Sequence, residues 1–319
     1  MHRVLWLAAF VAGTASAQAP GYPAQPVKLV VGFAAGGPSD LVARAFADQA
    51  ARTLGQPVIV ENKPGANAVL ATEAVAAAKP DGLTLLAAAT NHTMIPALYG
   101  ERIKFDAAKS FVPVCTIASS ATVLVVGPSM PVKNVAEFLA RVKAKPDAST
   151  YATPGQGSSP HLATEQFRRL TGTSMVHVPY KGAAPAVTDL IGGQVDLSFA
   201  TVGSVLPHLK SGKLKALAVA SRQRSALLPE VPTFEEAGVK GFVIDTWYGV
   251  LAPAGTPAEA LRVLSREAAE FARSEPARER LASAGLEPGG VCGEAFAAQI
   301  VREIDANTRL ARDLNLKVE

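Results

Sequence analysis

"VKLVVGFAAGGPSDLVARAFADQAARTLG", residues 27–55, joins a short apolar run, a glycine-rich turn and a helical pattern without interruption. Residues 27–33 form an apolar run bounded by turn residues, which is typical of a buried parallel strand. We expect the helix that follows to have Ser39 or Asp40 as its N-cap and to end at Gly55. Its apolar face consists of Val42, Ala45, Phe46, Ala50 and Leu54.

The glycine-rich turn is close to a nucleotide-binding loop but lacks the central residue of that motif. Gly32, Gly37 and Ser39 fall on the P-loop template, whereas Pro38 stands where the template requires lysine. The G-x-G-x-x-G spacing of a dinucleotide site is also absent. The turn therefore does not predict a nucleotide ligand.

The same order of strand, glycine turn and helix recurs in "STYATPGQGSSPHLATEQFRRLTG", residues 149–172. Each copy is followed by a V-x-V strand, a turn with lysine, a helix and a further strand that ends in threonine. This alternation predicts an α/β fold made of two similar lobes, each with a mostly parallel sheet flanked by helices.

The first residues predict export. A short basic start, an apolar core and the pattern Ala15-Ser16-Ala17 are typical of a secretory signal over residues 1–17, with cleavage near Ala17. No later stretch reaches the roughly 20 uninterrupted apolar residues that span a bilayer. We therefore expect a soluble, exported mature chain of roughly 300 residues in two domains.

The chain is expected to cross twice between the lobes, through apolar strands that end in proline and glycine turns. Two helical stretches after the second crossing are predicted to return to the first lobe. The predicted boundaries are 18–124 plus 250–319 for lobe 1 and 125–249 for lobe 2, with crossings near 123–127 and 247–253 and C-terminal helices at 257–273 and 294–314.

Charge and cysteine content narrow the class of partner. The formal net charge is +4, spread along the chain without a basic run, which does not indicate nucleic acid. Cys115 and Cys292 permit one disulfide in an oxidising compartment, and two buried thiols are an equally valid interpretation. Neither their spacing nor the histidines indicate a metal site, and no cofactor is predicted.

Both glycine turns lead into helix N-termini, which predicts anion binding. The first N–H groups of a helix have no internal partner, and the helix dipole places partial positive charge there. An anion is stabilised at such an end without a basic side chain. Two such turns facing each other across a cleft would hold a carboxylated molecule between the lobes.

Several residues allow two interpretations. Asp40 caps a helix or accepts a hydrogen bond from a ligand, Trp247 packs at the hinge or stacks on a ligand, and His92 is a ligand contact or a loop residue. A hydrolase that uses Ser158 is a further alternative, but Gln156 and Pro160 break the G-x-S-x-G pattern. We therefore predict a binding protein, not an enzyme.

The ordered motifs resemble one known family along essentially the whole mature chain. They are "YPAQPVKLVVGFAAGGPSDLVAR", "VIVENKPGAN", "YATPGQGSSPHLATEQF", "VPYKGAAPAVTDLIGGQVDLSF", "LKSGKLKALAVASRQRSALLPEVPTFEEAG" and "WYGVLAPAGTP". Together they are similar to the Bug, or TctC-type, periplasmic solute receptors of tripartite tricarboxylate transporters. Gly32 is a departure, since many members of that family carry proline there, and it predicts a looser first loop.

The resemblance implies a two-lobed Venus-flytrap receptor, type II-like, that closes around a small carboxylate in the periplasm. It also implies a membrane permease of one large and one small subunit as partner, although many family members have no neighbouring permease. A monomer is expected, and a receptor that signals to a membrane sensor is an alternative function. The ligand contacts that carry over are Phe33, Gly37, Asp40, Thr90, Asn91, Gly157, Ser158 and Ser159, with Tyr180 and Thr201 as further candidates.

Overall fold

The computed structural model describes residues 21–180 and 182–313. The predicted signal segment, its cleavage site and the predicted end of the last helix at 314 lie outside these residues. The described part is an α/β structure of helices packed on sheets, as the sequence predicts. Within it, no helix is long and apolar enough to cross a membrane.

The elements fall into four groups along the chain. The first group is β1 (Val27–Val31), α1 (Pro38–Leu54), β2 (Val58–Asn62), α2 (Val69–Ala76), β3 (Thr84–Ala89) and α3 (Ile95–Tyr99). The second group is the long strand β4 (Phe111–Val126) alone. The third group is α4 (Val135–Ala144), β5 (Thr150–Thr153), α5 (Ser159–Thr171), β6 (Val176–Pro179), α6 (Ala183–Ile191), β7 (Leu197–Thr201), α7 (Val202–Lys210) and β8 (Lys215–Val219). The last group is β9 (Asp245–Pro253), α8 (Ala258–Arg273), α9 (Glu275–Ser283), β10 (Glu287–Pro288) and α10 (Gly293–Asp313).

The two sheets repeat one local arrangement. In the first, β1 lies between β2 and β3 and is parallel to both, and in the second, β5 lies between β6 and β7 and is parallel to both. The remaining pairs are antiparallel: β9 with β3 and β4, and β4 with β7, β8 and β10. The sheets are therefore mixed, because the strands that link the lobes run against the parallel ones.

Strand β4 belongs to both sheets. Its residues up to Ala121 pair with β9, and its residues from Thr122 pair with β7. Strand β9 pairs in the first sheet from its first residue onward. The change of sheet thus falls between Ala121 and Thr122 on one chain segment and before residue 245 on the other. The lobe boundaries given above remain a prediction.

Each lobe has its own apolar core. Helix α8 returns to the first lobe, where Phe271 packs edge-on against Phe46 of α1 with ring centroids 5.6 Å apart. In the second lobe, Phe167 of α5 lies in a cluster of four phenylalanine rings, with Phe199, Phe234 and Phe242. Burial of these aromatic rings supplies much of the driving force that fixes the helices on the sheets.

The ends of the helices test the local predictions. Helix α1 ends at Gly55, which adopts φ 66°, as predicted. The prediction of Ser39 or Asp40 as its N-cap is wrong: Gly37 is the N-cap, and Pro38 is the first helical residue. Proline suits that position because its fixed φ matches the helix and its missing N–H is not needed there. Helix α9 lies in a segment for which no helix is predicted.

A disulfide joins Cys115 to Cys292 across 177 positions of sequence. Cys115 lies in β4, and Cys292 directly precedes α10. The bond therefore fastens the start of the last helix to β4, the strand that the two sheets share.

Candidate ligand-binding site

The candidate residues lie where parallel strands end. β1 leads through residues 32–37 into α1, and β5 leads through residues 154–158 into α5. β3 and β7 end next to them, at Thr90 and Thr201. Ligands of open α/β sheets bind outside the carboxyl ends of the strands, so these four strand ends define the candidate cleft.

Asp40 holds the first loop together. Its carboxylate accepts hydrogen bonds from Gly36 N, Arg44 Nε and Asn62 Nδ2, each 2.9 Å long. Burial by itself would raise the pKa of Asp40, but the hydrogen bonds from Arg44, Gly36 and Asn62 outweigh that effect and lower the pKa. The carboxylate is thus ionised, and its three hydrogen-bond donors belong to its own lobe.

Gly32 and Phe33 form the start of this loop. A Cβ atom at Gly32 would lie 2.2 Å from the Cβ of Ala68, so the two segments approach more closely than any side chain at 32 allows. Close packing thus accounts for glycine at position 32, and a looser loop stays a prediction. Phe33 is half-buried, and its carbonyl accepts a hydrogen bond from Asn62 Nδ2 at 3.0 Å.

Thr90 and Asn91 bond to neighbouring elements of the first lobe. Thr90 Oγ1 accepts from Trp247 N at 2.8 Å, which ties the end of β3 to β9. Asn91 Nδ2 donates to Asn67 O at 2.8 Å. Trp247 itself is buried against Phe296, and its Nε1 donates to Glu303 at 2.9 Å. The indole ring therefore packs in the core beside the crossing strand.

His92 also lies in the core. Its ring stacks near Phe105 and meets Phe111 edge-on at 5.2 Å, and its Nε2 is 2.8 Å from Ala107 O. Burial lowers the pKa of His92 to about 4, so the imidazole is neutral and donates from Nε2. The residue anchors the turn Thr90–Thr93 below the strand end.

The second loop is organised by Ser158 and His161. Ser158 is the N-cap of α5, and its hydroxyl donates to Gly155 O at 2.6 Å. Gly157, with φ +75°, donates its N–H to His161 Nδ1 at 3.2 Å. The serine hydroxyl and the imidazole thus both serve the loop, which is not the serine–base pairing that nucleophilic catalysis requires.

The remaining candidates lie at the other strand ends of the second lobe. Ser159 begins α5, and Thr201 is the N-cap of α7, where its hydroxyl donates to Ser204 Oγ at 3.3 Å. Tyr180 follows β6, and its hydroxyl donates to Asp189 at 2.7 Å. Helix N-termini thus follow strand ends in both lobes: α1 in the first lobe, and α5 and α7 in the second.

The lobes are in contact across this cleft. A Cβ atom at Gly157 would lie 2.5 Å from Leu98 Cδ1 of α3 and 3.9 Å from Asn67 Nδ2. Leu98 also packs with Met94 and with Leu162 of α5 in a small buried cluster. Elsewhere Gly203 of α7 packs directly against Gly285 before β10. The second loop thus lies against the first lobe near Asn91.

Sequence reasoning does not single out Asn67 or Leu98. The "PGAN" turn that contains Asn67 carries a weak signal, because asparagine tolerates left-handed backbone better than most residues. Leu98 carries no such signal, since a leucine in a short helix usually packs in the core. Among the described residues, no group of three or more histidine, cysteine, aspartate or glutamate side chains could hold a metal ion.

Comparison with known proteins identifies the family. The model of the tripartite tricarboxylate transporter family receptor matches residues 42–316. The chain belongs to this receptor family. Protein BugT of Bordetella pertussis is 34% identical, covering 100% of this chain and 99% of BugT.

Solved structures of the receptor family agree in fold. A protein of R. palustris solved with adipate has a TM-score of 0.84 at 32% identity and covers 93% of this chain and 100% of that one. MatC from Rhodopseudomonas palustris with bound malate has a TM-score of 0.79 at 32% identity and covers 91% and 99%. These receptors share the α/β architecture described above.

Proposed function

We propose that the chain is a periplasmic receptor that captures a small carboxylated solute by closure of its two lobes and delivers it to a tripartite tricarboxylate-type transporter. The solute is an organic acid, an amino acid or an aromatic carboxylate. Two relatives in the receptor family were solved with adipate and with malate, which supports a carboxylate here. The predicted signal over residues 1–17 supports export to the periplasm.

One observation carries this proposal: a glycine loop leads into a helix N-terminus in each lobe, at α1 and at α5, and the second loop contacts the first lobe at Leu98. Gly37 and Ser158 are the N-caps of these helices, and we propose that the positive dipole ends there face the bound solute. Both loops bind an anion by backbone donors, which explains why Pro38 in place of lysine is tolerated.

The site residues divide into two roles. We assign direct contacts with the solute to Phe33, Gly37, Asn91, Gly157, Ser158, Ser159 and Thr201. Asp40, Thr90 and Tyr180 support the loops from behind, because the polar atoms of their side chains already bond to Arg44, Trp247 and Asp189. The receptor acts as a monomer with a two-subunit permease as its partner, and it has no catalytic function.

A binding screen tests the proposal. The purified mature chain is heated with mono-, di- and tricarboxylates, amino acids and aromatic acids, and with sugars and divalent cations as negative controls. We expect a rise in melting temperature with at least one carboxylate, because a ligand that binds only the folded state stabilises it. Stabilisation by sugars or cations alone, with none by any carboxylate, would contradict the proposal.

Ser158→Ala separates a binding site from a hydrolase. The variant loses the side-chain cap of α5 and weakens affinity for the carboxylate found in the screen, and the cap alone accounts for about 1 kcal/mol of stability. Wild-type protein turns over no ester or amide of that carboxylate. Turnover that disappears in the variant would instead indicate the hydrolase.

A further inference from the structure

A cluster of polar side chains lies next to the second loop, residues 154–158. Helical spacing places three of its members on one face of α5, and strand spacing places two on one face of β5. The sixth lies on β6, where it pairs in register with Tyr151. We call these residues the histidine cluster: His161, Glu165, Arg168, Tyr151, Thr153 and His177.

The two histidine rings of this cluster are stacked. The ring centroids of His161 and His177 are 4.3 Å apart, and the ring planes are inclined by 19°. The ring of Tyr151 stacks on His177 with centroids 4.9 Å apart. Two imidazolium ions so close together would repel each other, since a like charge within about 4–6 Å disfavours the charged form. The stacking therefore favours two neutral rings.

Each ring bonds to one of the loop glycines, either directly or through one hydroxyl group. His161 Nδ1 accepts from Gly157 N at 3.2 Å. His177 Nε2 is 2.7 Å from Thr153 Oγ1, and that hydroxyl oxygen accepts from Gly155 N at 3.3 Å. Gly155 and Gly157 have φ angles of 146° and 75°, where glycine by itself has little preference for one conformation. These side-chain bonds therefore fix the conformation of the loop.

The bond to Gly157 requires a neutral His161, because a ring nitrogen accepts a hydrogen bond only when it carries no proton. Among the described residues, the ionisable groups that face the two histidines are Tyr151, Glu165 and Arg168. Glu165 accepts from Tyr151 and, at 2.6 Å, from Arg168, so its charge is balanced within the cluster. Burial is the main cause that lowers the pKa of both histidines, and it keeps both rings neutral near pH 7.

We propose that His161 is a positioning residue for solute binding, whose Nδ1 holds Gly157, and with it the second loop, in the conformation that binds the solute. The inference rests on the proposed function, in which Gly157, Ser158 and Ser159 contact the solute. Backbone donors stabilise an anion best when they already point at it, because the loop then loses little conformational entropy on binding. His177 supports His161 through the stack.

Three substitutions at position 161 separate the acceptor from the ring. His161→Asn places an amide oxygen close to the position of Nδ1, where it accepts from Gly157. His161→Phe keeps a ring against His177 but has no acceptor, and His161→Gln carries its amide one methylene farther from the main chain.

The dissociation constant for the best carboxylate of the screen is measured by titration calorimetry. We expect it to rise roughly 10-fold in His161→Phe and His161→Gln, as for a buried donor left unpaired. In His161→Asn, which restores the acceptor, it should stay within about threefold of the wild type.

The amide signal of Gly157 reports on the hydrogen bond itself. In proton–nitrogen correlation spectra, we expect this signal to shift and its hydrogen exchange to accelerate in His161→Phe, and both to resemble the wild type in His161→Asn. Phe138→Leu is the control for lost stability, since Phe138 is buried in the core of the second lobe on α4. It should lower the melting temperature but leave the affinity and the Gly157 signal unchanged.

Two kinds of result would overturn the inference. One is an affinity of His161→Phe and His161→Gln within about twofold of the wild type. The other is a loss of affinity that His161→Asn or Phe138→Leu shows to the same extent, because the acceptor would then not be the cause. If wild-type protein binds no carboxylate at all, the proposed function is refuted and this inference with it. The failures are distinct, because the first two leave wild-type binding intact.

Discussion

At Asp40, one buried carboxylate joins the first loop to α1 and to the end of β2. It accepts from the loop backbone at Gly36, from Arg44 one helical turn later and from Asn62 at the end of β2. A carboxylate suits this position because it only accepts, and all three neighbours donate. The residue therefore fixes the shape of the loop at which we propose that the anion binds.

Asp40→Asn should disrupt this arrangement. The introduced amide group donates toward neighbours that also donate, so we expect a loss of about 2 kcal/mol in the free energy of unfolding by urea titration, together with weaker carboxylate binding. The contribution of Asp40 is present above its unfolded pKa, about 3.9, and is lost as acid protonates the folded carboxylate.

Asp48→Asn is the matched control on the same helix. Asp48 pairs with Arg280 in an exposed ion pair. Such pairs contribute about 0–1 kcal/mol. Equal losses for Asp40→Asn and Asp48→Asn would contradict the role assigned to Asp40.

At the scale of the element, the turn Thr90–Thr93 depends on a neutral histidine. His92 is buried between the rings of Phe105 and Phe111, and this burial lowers its pKa to about 4. The unfolded chain binds a proton near pH 6.5, whereas the folded chain binds it only near pH 4. The turn that presents Thr90 and Asn91 is thus sensitive to acid.

His92→Phe should reduce the dependence of the free energy of unfolding on pH between about pH 6.5 and pH 4. In the wild type, stability falls between about pH 6.5 and pH 4, because the unfolded state alone is protonated there, with a slope of up to 1.4 kcal/mol per pH unit from this residue. The variant removes that slope but loses the hydrogen bond to Ala107 O, so it is less stable near pH 8. Identical slopes in urea titrations of both proteins across this range would contradict the prediction.

At the scale of the whole molecule, a small apolar contact holds the lobes together. Leu98 of α3 fills the space above Gly157 and packs with Leu162 of α5. Glycine suits position 157 because its φ is +75°, and a Cβ there would also lie 2.5 Å from Leu98 Cδ1. Because this contact joins residues of the two lobes, we propose that it favours the closed form.

Leu98→Ala should shift the receptor toward the open form. We expect a larger radius of gyration by small-angle X-ray scattering without ligand, and affinity for the carboxylate roughly 10-fold weaker, because part of the binding free energy must then close the lobes. Leu170→Ala is the control, since Leu170 is an exposed leucine of α5. Unchanged scattering and affinity in Leu98→Ala would refute the role of this contact.

The disulfide acts on the first lobe as a whole. Removing a native disulfide typically costs 2–5 kcal/mol, and the long loop between Cys115 and Cys292 favours the upper part of that range. Dithiothreitol should therefore lower the melting temperature of the wild type but leave a Cys115→Ala, Cys292→Ala double variant unchanged. A wild type that is insensitive to complete reduction would contradict this.

Much of the fold follows from the sequence because the deciding interactions are local. The apolar run, glycine turn and amphipathic helix at 27–55 and again at 149–172 fix β1 with α1 and β5 with α5, and Gly55 ends α1 as predicted. The N-cap of α1 is missed because the polar residues Ser39 and Asp40 were weighed above Pro38. Proline favours the first helical position, which places the N-cap at Gly37. Helix α9 is missed because its sequence is too polar to show a continuous apolar face.

By itself, the sequence determined the α/β class, the repeated strand–glycine–helix units and the family, each of which depends on residues close together in the chain. Only the tertiary structure decided that β4 belongs to both sheets, that Cys115 meets Cys292, that Asp40 is bonded within its own lobe and that Gly157 of the second lobe lies against Leu98 of the first. These depend on contacts between distant segments. Hydrophobic periodicity records which face of an element is buried, but it does not record which partner buries it.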